Sequence, residues 1–101
     1  MMNSAMVENR NGAIRIIEDR TNLRKIGYKE LIDTFESTLE RRTMNLINYI
    51  KHLSNLLKDD VVILNTYELE FIEEGDMKGY WKCEIIKSSI IQMMIELNEL
   101  I

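Results

Sequence analysis

Chemistry in this chain would have to come from very few side chains, so their surroundings decide the matter. His52 is the sole histidine and Cys83 the sole cysteine. A hydrolytic triad built on His52 needs a serine on a sharp nucleophile turn. None of Ser4, Ser37, Ser54, Ser88 or Ser89 lies in a G-x-S-x-G frame. His52 therefore reads as a histidine on a helix surface. Zinc takes three or four clustered Cys, His or carboxylate ligands, which one His and one distant Cys do not supply. Cys83 becomes a nucleophile only as a thiolate beside a base. The sequence marks no such base, and the thiol reads as a small buried apolar group.

The densest charge cluster is Glu68, Glu70, Glu73, Glu74 and Asp76. Paired carboxylates can do acid–base work or hold a divalent cation. These lack the D-x-D-x-D-G order of a calcium loop and read first as a solvated turn. Their second use is as an acidic contact to a basic groove on a protein partner. Glycines 12, 27, 75 and 79 form no phosphate-binding frame. Arg10, Arg15, Arg20, Arg24, Lys25 and Lys29, with Arg41 and Arg42, make a basic segment able to touch phosphates. No helix-turn-helix spacing or stacking aromatics accompany it, and the overall pI is about 5.0. The expectation is no catalytic residue, no metal ligand and no cofactor.

These residues need elements to place them. Residues 1–12 are polar and aperiodic and read as a flexible tail, followed by a single globular domain over 13–101. Ile14, Ile16 and Ile17 form a short β-capable run. From Tyr28 to Lys58, apolar residues recur at steps of three, four and seven, which predicts one long amphipathic helix. Unbroken, it would be about 46 Å long. That is too long for a compact domain, so a kink near residues 41–43 or packing on a second chain is expected. Tyr67, Leu69 and Phe71 alternate with glutamates, and Trp81, Cys83 and Ile85 alternate with charged residues. Around the Gly75/Gly79 turn this predicts a β-hairpin over about 61–87. Ser89 and Gln92 have capping-box spacing and open a C-terminal helix over 89–101. The fold class expected is therefore α+β. The alternative is an all-α bundle, with helices over about 65–74 and 79–101.

The last helix carries more apolar surface than one face can hold. Ile90, Met94, Leu97 and Ile101 share a face, while Ile91 and Ile95 fall outside it. Ile91, Met93, Ile95 and Leu100 are accordingly the candidate dimer or interface residues.

Size and charge bound the rest. A chain of 101 residues makes one domain. One cysteine excludes an internal disulfide and favours a reducing compartment. No apolar run approaches the ~20 residues of a membrane span, and a cytoplasmic location is expected. The net charge of −4 conceals a balance of +3 over residues 1–58 and −7 over residues 59–101. Such a dipolar chain can neutralise itself, pair with a second copy or meet a charged partner. A chain rich in Ile, Asn, Lys and Glu also resembles in composition the small accessory proteins of phages and mobile elements. These features predict a non-enzymatic, homodimeric interaction module: a small regulator, adaptor or inhibitor that occupies a partner protein's surface. The second reading is a dimeric nucleic-acid-binding regulator that uses the basic segment.

Overall fold

The computed structural model describes residues 4–37 and 44–101, which form three helices. They are α1 (Ser4–Ser37), α2 (Met44–Glu74) and α3 (Met77–Glu99). The architecture is all-α: no strand occurs among the described residues, so the α+β expectation is corrected to the helical alternative.

Each helix repeats its core residues at alternating steps of four and three. In α1 these are Arg10, Ile14, Ile17, Thr21, Arg24, Tyr28, Leu31 and Phe35. In α2 they are Leu46, Ile50, Leu53, Leu57, Asp60, Leu64, Tyr67 and Phe71. In α3 they are Gly79, Cys83, Ile86, Ile90, Met93, Leu97 and Leu100. The mean step of 3.5 residues is that of a coiled-coil seam. Ile50, Leu57, Leu64, Cys83, Ile90 and Leu97 are fully buried along it. Burial of each such aliphatic side chain contributes roughly 1.5–3 kcal/mol.

The helices run up, down and up. Arg10 of α1 meets Glu74 of α2, and Arg24 meets Asp60, so α1 and α2 are antiparallel. Lys87 of α3 meets Glu68, and Ser54 of α2 meets Asn98, so α2 and α3 are antiparallel too. The result is a rod of 58 × 19 × 18 Å with a radius of gyration of 16.3 Å. A compact domain of this length would have about 13 Å.

The turn between α2 and α3 is two residues long, and its chemistry explains why. Gly75 takes φ +74°, a left-handed conformation suited to glycine. Its N–H donates to the carbonyl of Ile72, and the Asp76 N–H donates to that of Phe71. This pair of bonds is a Schellman stop for α2. The Asp76 carboxylate then accepts from the Gly79 N–H at 3.0 Å and caps α3. Gly79 is required in turn: a Cβ there would collide with the Phe71 ring.

Several expectations change accordingly. The hairpin expected over 61–87 is the end of α2, this turn and the start of α3. Ser89 and Gln92 do not open a helix; both lie inside α3. The β-capable run at Ile14–Ile17 lies inside α1, and α1 already runs through residues 4–12, where a tail was expected. Arg10 in that segment is only 4% exposed. The helix expected over 28–58 belongs to two helices, and the bend expected near residues 41–43 lies outside the described residues.

Candidate interaction surface

Three of the acidic cluster's five carboxylates are held by cations of the same chain. Arg10 makes a two-pronged bond to Glu74, with both N–H···O distances at 2.7 Å, and reaches Glu70 at 3.3 Å. Its guanidinium lies 4.2 Å from the centroid of the Phe71 ring. The bond to Arg10 holds the Glu74 carboxyl below the usual carboxylate range. Glu68 is buried between α2 and α3, with the Lys87 ammonium at 3.1 Å, and Lys87 also reaches Glu84 at 3.1 Å. Burial pushes the Glu68 carboxyl up, against the pull of Lys87. Asp76 caps α3, and Glu73 is exposed on the outer side of α2. The cluster thus sits at one end of the rod, with Glu68, Glu70 and Glu74 engaged in fastening helices.

The basic segment is divided in the same way. Arg20 and Arg24 both bind Asp60, at 2.6 and 2.8 Å, and Arg10 is buried. Arg15 and Lys29 are exposed on α1, and Lys25 is half-buried. Arg41 and Arg42 lie outside the described residues.

His52 is exposed on α2. Cys83 is buried, and burial, aided by the charge of Glu68, pushes its thiol up to about 11. It is a thiol rather than a thiolate at neutral pH. Among the described residues no group of three or more His, Cys, Asp or Glu side chains is placed to hold a metal ion.

The four candidate interface residues separate by position on α3. Met93 faces the core, and Leu100 packs half-buried against it. Ile91 and Ile95 are exposed on the opposite side. There they are joined by residues the hairpin expectation had assigned elsewhere: Met77, Trp81 and Ile85. Ile85 is 69% exposed and Trp81 57%. At 100° per residue, Met77, Trp81, Ser88, Ile91 and Ile95 fall on one side of the helix, with Ile85 at its flank. The Tyr80 ring meets Trp81 edge-on, with centroids 5.2 Å apart, which supports the indole. The helix thus carries exposed apolar residues opposite its core face, with Glu84, Gln92 and Glu99 among them. Lys78 flanks the outer face near its start and Glu96 near its end.

A second apolar feature is a groove of about 270 Å³ between α1 and α2, lined by Leu23, Gly27, Tyr28, Leu31, Tyr49 and Leu53. Arg20 and Arg24, which bind Asp60, also line it. No helix among the described residues is long and apolar enough to cross a membrane. Comparison with protein-family models, curated proteins and solved structures finds no match to this chain.

Proposed function

We propose that this protein is a non-enzymatic interaction module, a rigid helical rod that works by seating a protein partner on the outer face of α3. The observation that carries this reading is the second apolar face, with Trp81 and Ile85 more than half exposed. Scattered exposed apolar residues are ordinary, but Met77, Trp81 and Ile85 stand one turn apart on the same side of α3 and form an exposed apolar patch of the kind that marks contact sites. Tryptophan is also the side chain most enriched at binding hot spots. The acidic end, where Glu73 is exposed, is the adjoining rim, and its charge favours a partner with a basic border. A regulator, adaptor or inhibitor acts in this way, by coverage rather than catalysis.

The test is affinity capture with the full chain as bait from cells of its source, compared with a Trp81→Glu, Ile85→Lys bait. Both positions point away from the core, so the variant keeps its helical circular dichroism. A bound protein retained by the parent and lost by the variant supports the reading. Identical captured sets from a folded variant overturn it.

A further inference from the structure

We infer that the groove between α1 and α2 is the seat of a fourth helix, supplied by a protein partner as a short basic amphipathic segment. This surface lies apart from the outer α3 face, and neither reading depends on the other. α1 and α2 are joined by the bonds of Arg20 and Arg24 to Asp60, and beside those bonds their outer edges are apolar. On α2, Tyr49, Leu56 and Ile63 recur at steps of seven, each three residues beyond a core position. On α1, Ile16 and Leu23 stand seven residues apart on the side turned toward them. In the antiparallel register set by Arg24 and Asp60, Leu23 comes level with the stretch between Leu56 and Ile63. All five are exposed, Leu23 by 71% and Tyr49 by 56%. A helix in a three-helix bundle needs one apolar stripe. A second stripe beside the first widens the face to fit one helix more.

The groove is open where that helix would lie. Its volume of about 270 Å³ is bounded by Leu23, Leu31, Tyr49 and Leu53. Gly27 lies in its wall, and nothing stands within 4 Å of where a Cβ would be. From Tyr49 to Ile63 the α2 stripe runs about 21 Å, close to four helical turns. A helix about 10 Å across, laid along that length, makes a contact smaller than those of permanent complexes. An affinity in the micromolar range is therefore expected.

The rims select the sign of the partner. By helical geometry Asp19 and Glu30 edge the groove on α1 and Asp59 edges it on α2, and all three are exposed. Arg20 and Arg24 line it, but both are bound to Asp60. Four carboxylates thus accompany two guanidiniums. His52 stands at the α2 edge, while Arg15 and Lys51 lie further round their helices. A segment with Lys or Arg beside its apolar stripe meets opposite charge on both rims, and an acidic one meets like charge.

The probe is a labelled peptide of about 18 residues made of leucine and lysine, with leucines at steps of three and four. Its counterpart carries glutamate in place of lysine. Fluorescence anisotropy with the full chain at physiological salt should show the lysine peptide bound at least about tenfold more tightly. Leu23→Lys with Tyr49→Lys keeps the helical circular dichroism, because both side chains are exposed, and should weaken that binding by roughly tenfold or more. Asp19→Lys with Glu30→Lys should move the preference toward the glutamate peptide. Trp81→Glu with Ile85→Lys should leave the binding unchanged. Failure to bind the lysine peptide, equal binding of the two peptides, or binding that survives the groove variant overturns the inference. Binding lost in the α3 variant instead overturns it by placing the peptide on the other face. Sedimentation equilibrium closes the remaining route: a parent of doubled mass that becomes single on Leu23→Lys, Tyr49→Lys substitution gives the groove to a second copy and overturns the inference too. None of these failures touches the capture experiment on the outer α3 face.

Discussion

The seam between α2 and α3 and the seam between α1 and α2 solve the same packing problem with different chemistry. Between α2 and α3 the buried layers are mostly apolar, with Leu57, Leu64 and Phe71 on one side and Cys83, Ile86, Ile90, Met93 and Leu97 on the other, and among the described residues the Glu68–Lys87 pair is the one charged contact across them. The α1 seam is crossed by charge. Arg10 occupies one core layer against Glu74 and Phe71, Arg24 another against Asp60, and Thr21 a third, its hydroxyl donating to the Ile17 carbonyl at 2.6 Å. An apolar heptad seam is nearly degenerate under a slip of seven residues. A seam with arginines is not, because such a slip would set buried Asp60 against Ile17 or Leu31. Buried ion pairs add little net stability, and fixing register is their best-attested use. The hairpin thus supplies most of the burial, and α1 is the helix whose placement is specified by charge.

That contrast can be tested from its largest expected effect downward. Leu64→Ala removes a fully buried side chain from the hairpin seam. It should lower the free energy of unfolding by about 2–5 kcal/mol. Urea denaturation should show the loss in all three helices together.

Asp60→Ala strands Arg24 and, less severely, the more exposed Arg20. A cost of about 2–3 kcal/mol is expected, lower than for a fully buried pair because Arg20 reaches solvent. Here amide hydrogen exchange should rise in α1 well before it rises in α2 and α3. A uniform rise would break the distinction between the seams.

The smallest effect is in pH. Arg10 holds the Glu74 carboxyl below its unfolded value of about 4.3. Its contribution is fully present above that value and is lost as pH falls through the folded one. Glu96 behaves alike: its bonds to Gln92 and to the Tyr28 hydroxyl of α1 hold it low. Glu68, facing Lys87 and Glu84 in the hairpin, has the opposite sign. Burial raises it, so protonation on acidification relieves a cost. Mild acid should therefore increase exchange in α1 first, and equal acid sensitivity of the two seams would contradict the assignment.

The helical character of Tyr28–Phe35 and of Leu46–Leu57 was legible in the sequence because the apolar residues of each keep to one face, but that they belong to two helices rather than one was not. The segment from Tyr67 to Ile85 was not, and the reason is the second face itself. Cys83 points into the core while Trp81 and Ile85 point out. Leu69 is likewise exposed beside buried Phe71. A helix with apolar residues on opposite faces reproduces the period-two alternation of a strand over five residues. Only the longer series, Cys83, Ile86, Ile90, Met93 and Leu97, distinguishes the two, because no strand sustains steps of three and four. Ile91 and Ile95 were legible as surplus to the core. Met93 and Leu100 were misplaced with them because a helix boundary set at residue 89 left too short a series to phase. The role of the acidic cluster was hidden for a different reason. Glu70 and Glu74 are bonded by Arg10, about sixty residues away in the chain, and no local pattern announces that.

The placement of two single-copy residues makes α3 its own instrument. Trp81 is the chain's only tryptophan and Cys83 its only cysteine, two residues apart on opposite sides of one helix. Indole fluorescence reports whether the outer face is wet or covered. The rate at which a thiol reagent modifies Cys83 reports whether the core has opened. A ligand that shifts the emission to shorter wavelength while the thiol stays protected has docked. One that changes both together has loosened the bundle. The unlabelled parent protein can therefore separate recognition from unfolding in a single cuvette.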